Sequence, residues 1–568
     1  MQPQQSIAHA ELRGSEPPVP VENGAAVAHV IAVGSAKVVV RFSPTMSGGV
    51  QLTVGDLLGV RTRRSLVIGI LSDVLADASA NGPQGVTGQL DLVGEILTPQ
   101  SGDPFFQRGV STYPAIANPV VSVGEAELRL MFDAGGAGTI AVGRLRQAGS
   151  VAACIRVDDM LQRHFAVLGS TGSGKSSAIS LILREVMRAR PDLRILLIDP
   201  HDEYRRSFGD RAHIARPENF KFPFWLFNFD EMVPIIFGRN SPPAQEVAML
   251  ADLIPLAKNE YRRSRGGERT SYRGSDVEGT GYTVDTPVPY RIADLIALIE
   301  SRMGKLENNA IAIHYQRLLA RIQAARNNRR YAFIFDNEGD GLAEILSQLF
   351  RLQPDGRPMT VMQLSGFPAE VFDPLVAALF RIAFELGLHG DGGVPLLVVC
   401  EEAHNYAHAD RTAGFYPARE ALSRIAKEGR KHGVFLGLVT QRPAELDPTL
   451  LSQCSTVFAM RMGNESDQSI VRAAIADPSN RLLDFLTSLG TRDALAFGEG
   501  VPVAMQMRFD QLAPELVPRR EKRDHAGPAA KADASFAASV VARWRGGSAP
   551  GAPVAAAAAG YGLRAVAR

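Results

Sequence analysis

One eight-residue segment constrains this chain more than any other part of its sequence. It reads Gly169, Ser170, Thr171, Gly172, Ser173, Gly174, Lys175, Ser176 and fits the pattern GxxxxGK[ST] without departure. It follows the apolar run 165–168 and precedes a helical pattern that starts at Lys175. In this setting the backbone N–H groups curl around a polyphosphate, and the helix N-terminus adds a favourable dipole. The sequence therefore predicts a nucleoside triphosphate bound along 169–177, with Ser177 as the last contact.

A phosphate loop of this kind works together with charged groups of fixed roles. Lys175 is expected to reach the β and γ phosphates, and the Ser176 hydroxyl to bind Mg²⁺. Acidic groups on a neighbouring strand complete such a site, and the apolar run 396–400 ends in Glu401 and Glu402. We expect Glu401 to lie in the Mg²⁺ shell and Glu402 to orient or deprotonate the attacking water. The alternative is a solvated acidic pair at a strand end.

A second acidic position ends another apolar run. Asp199 closes RILLID, where parallel sheets place their ligand crevice, so a position near the metal and nucleotide is predicted for it. The alternative is that Asp199 caps the following turn. His201 and His404 stand beside carboxylates, a setting that more often indicates hydrogen-bonded structural groups than metal ligands.

Two further segments carry groups suited to phosphate chemistry. The apolar run 434–440 ends at Gln441, whose amide is able to contact the γ-phosphate or the attacking water. Arg424 and Arg430 lie in the basic stretch 423–433. Arginine is always ionised and binds phosphate bidentately, so both are candidates for neutralising transition-state charge. A solvated basic helix face is the alternative.

The pattern along the chain predicts an α/β protein with several units. Residues 1–25 have no periodicity and are expected to be a flexible leader, and short glycine-punctuated strands over 26–149 predict a small antiparallel barrel. Apolar strands that alternate with helices over 150–510 predict a parallel sheet covered on both faces, with a helical insertion at about 229–330. The remainder, 511–568, is rich in Ala, Gly and Pro and is basic, and we expect it to be largely disordered.

Length and composition exclude several classes of protein. A chain of 568 residues is too long for one core and predicts about three or four units. The formal net charge of +1 shows no global excess that would attract a polyanion, so any surface for nucleic acid has to be local. The three cysteines are isolated and fit neither a disulfide framework nor a zinc site. No apolar stretch reaches about 18 residues, which favours a soluble cytoplasmic protein.

Taken together and in this order, the motifs resemble one family, the HerA-type branch of the FtsK–HerA P-loop motors. The resemblance spans roughly residues 27–510, including a β-rich unit that looks like the HAS barrel of the family. It is carried by six segments: 163–176, 196–204, 360–368, 398–406, 423–433 and 438–454.

The resemblance implies a RecA-like core and a hexameric ring that hydrolyses ATP between its subunits and drives double-stranded DNA through its pore. It also implies an effector partner, either a NurA-like nuclease or, in antiphage defence, a Sir2-like or nuclease-domain protein. It makes Glu402 the catalytic acid, Gln441 the sensor, and Arg424 or Arg430 the arginine that acts across the interface. Arg163 matches a basic position just ahead of the P-loop strand and is expected to contact the nucleotide.

The sequence departs from the family pattern at two positions. Glu401 stands where aspartate is usual, and Asp202 replaces a frequent glycine. Basic stretches at 258–273 and 326–330 are candidates to face DNA, with solvated loops as the alternative.

Three other functional classes compete with a DNA motor. A nucleotide-gated ring that assembles an effector with little processive movement remains open. A DEAH-type helicase is disfavoured because no room is left for a second RecA-like domain. A conjugation-type coupling ATPase is disfavoured because such proteins ordinarily carry membrane spans.

Overall fold

The structure is a computed structural model of the chain. It describes residues 26–43, 52–79, 82–99, 102–132, 136, 138–238, 242–264, 281–305, 309–336, 341–353, 355–410, 412–475, 480–519 and 541. The predicted leader and most of the predicted basic tail lie outside these residues.

The amino-terminal part folds into a closed β-barrel. Its strands are β1 (Ala28–Val33), β2 (Lys37–Phe42), β3 (Leu57–Arg61), β4 (Ser65–Ser79), β5 (Gly82–Leu97), β6 (Phe105–Arg108) and β7 (Pro119–Ser122). The described strands follow the order β2-β1-β7-β3-β4-β5, and β5 pairs back onto β2 to close the ring, while β6 extends from β5. Alternate residues such as Val38 and Val40 point inward and are fully buried, as a barrel wall requires.

A second, larger sheet follows the barrel. Its strands are β8 (Thr139–Leu145), β9 (Ala152–Arg156), β10 (His164–Leu168), β11 (Arg194–Asp199), β12 (Ala212–Ala215), β13 (Met359–Gln363), β14 (Leu396–Cys400), β15 (Val434–Thr440), β16 (Cys454–Met460), β17 (Asp493–Gly498) and β18 (Met505–Phe509). Their order is β12-β13-β11-β14-β15-β10-β16-β17-β18-β8-β9. From β12 to β16 neighbouring strands are parallel, and beyond β16 they are antiparallel.

The boundary between the barrel and the large sheet lies earlier in the chain than the sequence predicts. The barrel was expected to extend to Gly149, but β8 pairs with β18 through Gly143 and Phe509 and so belongs to the large sheet. Short strands punctuated by glycine have the same pattern in a barrel and at an antiparallel sheet edge, so periodicity alone does not separate them.

Helices cover the large sheet and fill the insertion. They are α1 (Glu125–Phe132), α2 (Val157–Leu161), α3 (Lys175–Ala189), α4 (Arg205–Phe208), α5 (Phe229–Phe237), α6 (Ala244–Ser264), α7 (Ile292–Met303), α8 (Asn309–Asn327), α9 (Ala332–Phe335), α10 (Leu342–Leu349), α11 (Ala369–His389), α12 (Tyr416–Glu428), α13 (Pro448–Ser452) and α14 (Glu465–Ala474). None of the helices in the described ranges is long and apolar enough to cross a membrane.

This arrangement confirms the predicted fold class, a RecA-like α/β core with a small barrel ahead of it and a helical insertion. Strands β10 and β14 are buried along their whole length, and β11 is buried from Ile195 onward, as expected for parallel strands with helices on both faces. The carboxyl ends of β10, β11, β14 and β15 therefore lie side by side at one edge of the sheet. That edge is where open α/β sheets bind their ligands.

Candidate nucleotide-binding and hydrolysis site

The glycine-rich loop connects β10 to α3, as its sequence predicts. Gly172 and Gly174 have φ values of 77° and 106°, a backbone region that suits glycine. The Gly169 N–H donates to the carbonyl of Thr440 at 3.3 Å, and the Ser170 N–H donates to the carbonyl of Arg461 at 2.8 Å. The loop is thus fixed on both sides by the neighbouring strands β15 and β16.

Lys175 is folded back onto this loop. Its side chain is buried, and Nζ donates to the carbonyl of Ser170 at 3.2 Å. Burial lowers the pKa of Lys175, while the nearby carboxylates of Glu401, Glu402 and Glu203 act in the opposite direction. Because three acidic groups surround the ammonium group, it remains a suitable partner for a polyphosphate.

Asp199 caps the turn that follows β11, which is the alternative that the sequence leaves open for it, and its contact with nucleotide stays a prediction. Its two carboxylate oxygens accept the N–H groups of Glu203 and Tyr204 at 3.2 and 3.1 Å, and the side chain is fully buried. Burial raises the pKa of Asp199 to about 6. Because both oxygens serve the turn, Asp199 positions the residues that follow it.

The turn that Asp199 caps places Glu203 beside the phosphate loop. Its Oε2 accepts a hydrogen bond from the Ser176 hydroxyl at 3.2 Å. Glu203 was not among the predicted site residues, although its place four residues after the end of β11 was a usable signal. The same turn explains Asp202, whose φ of 57° lies in the region that glycine favours and that aspartate tolerates.

Glu401 and Glu402 lie where the sequence predicts, immediately beyond β14. Glu401 is buried, and its Oε2 accepts a hydrogen bond from the Tyr204 hydroxyl at 2.6 Å. Burial raises the pKa of Glu401 to about 8, with hydrogen bonding to Tyr204 opposing the shift.

Glu402 has a different environment from its neighbour. Its φ of 51° is in the left-handed region, which costs a non-glycine residue roughly 1 kcal/mol. One carboxylate oxygen lies 3.8 Å from His201 Nε2 and the other lies 3.5 Å from His404 Nδ1. Burial acts to raise the pKa of Glu402, but the contacts with His201 and His404 prevail and lower it. Glu402 is thus an ionised carboxylate at the site edge.

The two histidines act as partners of Glu402. His404 is buried, and its Nδ1 also lies 2.9 Å from the Thr440 hydroxyl. Contact with Glu402 raises the pKa of His201, whereas burial lowers that of His404. No group of three or more His, Cys, Asp or Glu side chains among the described residues is arranged to hold a metal by itself.

Gln441 follows β15 directly and contacts the loop. Its Oε1 accepts a hydrogen bond from the Thr171 hydroxyl. The structure therefore brings together the phosphate loop, the acidic pair and the predicted sensor amide, as the sequence analysis expects.

The three predicted arginines lie away from the loop of their own chain. Arg163 precedes β10, so the five residues of that strand, about 16 Å, separate it from the loop. Arg430 follows α12 and lies close to His164 at the amino-terminal end of β10. Arg424 pairs with Glu385 at 2.8 Å and lies over the Phe384 ring at 4.1 Å. Within one chain, the predicted contact of Arg163 with nucleotide is therefore wrong.

Two other arginines adjoin the loop and were not predicted. The Arg461 carbonyl accepts from both the N–H and the hydroxyl of Ser170, at 2.8 and 2.9 Å. The Arg492 N–H donates to the carbonyl of Ser173 at 2.9 Å. Both lie about 300 residues from the loop in sequence, and no local pattern marks them.

The oxygen atoms at this edge fit a magnesium ion bound with phosphate. The Ser176 hydroxyl and the carboxylates of Glu203 and Glu401 are hard donors next to the place where the phosphates bind. Mg²⁺ prefers such donors and usually takes one or two carboxylates, substrate phosphates and water.

The fold and the site define a P-loop nucleoside triphosphatase with a RecA-like core. Residues 140–383 match the family model described as "Helicase HerA, central domain". Over this central domain the chain is similar to HerA-type helicases.

Individual relatives are similar at low identity. A probable helicase of Methanocaldococcus jannaschii is 25% identical over 448 residues, which are 76% of this chain and 78% of the relative. The DNA double-strand break repair helicase HerA of Sulfolobus acidocaldarius is 26% identical over 419 residues, 71% of this chain and 75% of the relative. Among solved structures, VirB4 of Thermoanaerobacter pseudethanolicus matches 67% of this chain and 98% of its own, with 16% identity and a TM-score of 0.46.

Proposed function

We propose that this chain is an ATP-driven motor that moves double-stranded DNA, works as a ring of six copies and serves an effector protein. The observation that carries the proposal is the juxtaposition at one sheet edge of Lys175, Ser176 and Glu203 with the pair Glu401 and Glu402. Lys175 and Ser176 alone would account for nucleotide binding, and the acidic pair beside them adds a group that is able to accept a proton from the attacking water. The relatives named as DNA repair helicases support DNA as the substrate.

The arrangement assigns each side chain a step in ATP hydrolysis. Lys175 leaves the Ser170 carbonyl and binds the β and γ phosphates. Ser176, Glu203 and Glu401 would hold Mg²⁺, which would neutralise charge that builds up on the phosphates. Glu402 accepts a proton from the attacking water. Gln441 leaves Thr171 and contacts the γ-phosphate or that water.

The proposed assembly gives a role to the arginines that lie away from their own loop. In a ring, Arg424 or Arg430 of one copy would reach the nucleotide of the next and stabilise the transition state. DNA would pass through the pore, and the exposed Arg326 and Arg330 at the end of α8 are candidates to contact it. A NurA-like nuclease or a Sir2-like or nuclease-domain effector would dock on the ring, for DNA end processing or antiphage defence.

A second candidate function is a nucleotide-gated ring that assembles an effector with little processive movement. One observation favours it. Lys258, which begins one of the stretches predicted to face DNA, is buried, and its Nζ donates to the carbonyls of Thr283, Val284 and Thr286 at 3.2, 2.6 and 2.7 Å. It is therefore unable to contact DNA.

Steady-state ATP hydrolysis with and without long linear duplex DNA, at two salt concentrations, distinguishes the two functions. For a motor, we expect DNA to accelerate hydrolysis and salt to weaken this effect, because phosphate contacts release counterions. Glu402→Gln is expected to lose about 100-fold or more in rate. Glu125→Gln, which alters an exposed ion pair on α1, is the control and is expected to hydrolyse ATP normally.

Two results contradict the motor. Hydrolysis that depends on Glu402 but does not respond to DNA would contradict DNA translocation and favour the nucleotide-gated ring. Equal hydrolysis rates in wild type and Glu402→Gln would contradict the proposed hydrolysis site itself.

A further inference from the structure

The catalytic carboxylate is connected to the phosphate loop through side-chain contacts that the peptide bond between Thr440 and Gln441 joins into one series. The Thr171 hydroxyl donates to Gln441 Oε1, and Thr440 is the residue before Gln441. The Thr440 hydroxyl lies 2.9 Å from His404 Nδ1, and the same nitrogen lies 3.5 Å from Glu402 Oε2. The series therefore begins at an exposed loop residue that would meet the phosphates and ends at the group that activates water.

Each member of the series is held so that movement at one end is passed on. Thr440 is fully buried, its hydroxyl also accepts the Arg442 N–H at 3.0 Å, and its carbonyl accepts the Gly169 N–H. It thus has no free rotamer into solvent. His404 is likewise buried, so its ring moves only with its neighbours.

Glu402 is the movable end of the series. Its Oε2 is buried and makes no hydrogen bond with the residues that the structure describes, whereas its Oε1 faces the half-exposed His201. A buried carboxylate oxygen without a close partner gains free energy from a short rearrangement that supplies one. His404 Nδ1 is placed to supply it only if its contact with the Thr440 hydroxyl changes.

We propose that His404 and Thr440 are positioning residues that link occupancy of the phosphate loop to the orientation of Glu402. Phosphate that draws Gln441 away from Thr171 shifts the end of β15, and with it the Thr440 hydroxyl. His404 then turns from Thr440 and donates a hydrogen bond to Glu402 Oε2, which orients the Glu402 carboxylate toward the attacking water. This relay runs from Thr171 through Gln441, Thr440 and His404 to Glu402. It rests on the proposed hydrolysis site and adds the groups that control it.

A double-mutant cycle on nucleotide affinity tests the relay without requiring hydrolysis. Full-length wild type, Thr171→Val, His404→Asn and the double variant are titrated with a fluorescent non-hydrolysable ATP analogue in the presence of Mg²⁺. Thr171 and His404 do not contact each other. If the two positions act independently, the effects of their substitutions on the free energy of analogue binding are therefore additive. The relay predicts that the two effects differ from additivity by about threefold or more in Kd.

Hydrolysis provides the second measurement. Thr440→Val is expected to lower kcat by about tenfold or more while the analogue Kd changes by less than about threefold. Thr440→Ser keeps the hydroxyl and is expected to regain most of the rate. Thr360→Val on β13 is the matched control, because this fully buried threonine hydroxyl in the same sheet has no hydrogen-bond partner among the described residues.

The outcomes separate the relay from the proposed function. Additive effects in the cycle overturn the relay, whether or not the protein hydrolyses ATP. A Thr440→Val variant that loses affinity and rate equally, or that Thr440→Ser fails to rescue, also overturns it. Coupling in a protein that does not hydrolyse ATP sustains the relay and contradicts the proposed function, and absence of analogue binding overturns both.

Discussion

Two adjacent glutamates at the end of β14 experience opposite environments. Glu401 is enclosed by the Tyr204 hydroxyl and buried strands, and its pKa rises to about 8. Glu402 has a left-handed backbone and contacts His201 and His404, which lower its pKa. A carboxylate that stays ionised is suited to accept a proton, whereas one whose pKa burial raises is suited to hold a cation once phosphate and metal neutralise the pocket.

Glu203 is the residue whose substitution tests the magnesium assignment. Its carboxylate accepts from the Ser176 hydroxyl, so Glu203→Gln removes a charge beside the metal position but leaves an oxygen acceptor. We expect the Mg²⁺ concentration for half-maximal hydrolysis to rise by about tenfold, because Mg²⁺ binds carboxylates far better than amides. Titrating Mg²⁺ at saturating ATP measures this change. An unchanged Mg²⁺ requirement, with Glu125→Gln as reference, would show that Glu203 does not serve the metal.

The ease of predicting each of these residues follows from how it is placed. Gly169 to Ser176 and the pair after β14 are contiguous with the strands that carry them, so pattern and chemistry were enough. Glu203 depends on the turn that Asp199 caps, whose shape a linear pattern does not contain. Arg163 failed for the opposite reason, because adjacency to the P-loop strand placed it at the far end of that strand.

At the scale of elements, one buried histidine joins three elements of the RecA-like core, β10, α12 and β15. His164 opens β10, and its Nε2 lies 2.9 Å from the carbonyl of Ala426 on α12. Its Nδ1 accepts the Leu436 N–H of β15 at 3.0 Å, so Nε2 carries the proton and donates it to Ala426. The strand that leads to the phosphate loop is thereby fixed to the helix that carries Arg424.

The environment of His164 leads us to expect that the folded protein loses stability in acid. Burial lowers the pKa of His164 to about 4, whereas the unfolded chain titrates near its usual value of about 6.5. Between these values only the unfolded state takes up the proton, so the stability contributed by neutral His164 is present above about pH 6.5 and falls as the pH drops to about 4. We expect the thermal unfolding midpoint of the wild type to fall over this range.

The control for this prediction is His164→Asn. The variant is less stable at pH 7 because it loses buried hydrogen bonds, but it has no imidazole to titrate, so its midpoint falls less between pH 6.5 and 4.5. Equal falls in wild type and variant would show that His164 does not cause the acid response.

Element boundaries were harder to predict than element types. The alternation of apolar strands and helices after residue 150 predicted the parallel part of the sheet because burial on both faces leaves a continuous apolar run. The antiparallel strand β8 carries no such run and was therefore assigned to the barrel. Long-range pairing decided its place, and short-range pattern does not report it.

At the scale of the whole molecule, the charges needed for hydrolysis are divided between distant places. The loop, Glu203 and the acidic pair lie at one sheet edge, whereas Arg424 is held on α12 by Glu385 and Phe384. If the proposed ring brings Arg424 of one copy to the loop of the next, each working site combines two copies. A closed ring with identical interfaces makes this division possible, because every copy then both gives and receives an arginine.

Mixing two inactive variants tests this division. Lys175→Ala keeps a functional Arg424, and Arg424→Ala keeps a functional loop, so an equal mixture forms complete sites wherever the loop of the second meets the arginine of the first. Random mixing makes about a quarter of interfaces complete, and we expect ATP hydrolysis to recover to about that fraction of wild type. Lys175→Ala mixed with Glu402→Gln is the control, since both groups come from the same copy and no interface regains them both. No recovery in the test mixture would place all the catalytic groups in a single copy or exclude Arg424 as the arginine that crosses the interface. Recovery in the control would show instead that Lys175 and Glu402 act from different copies.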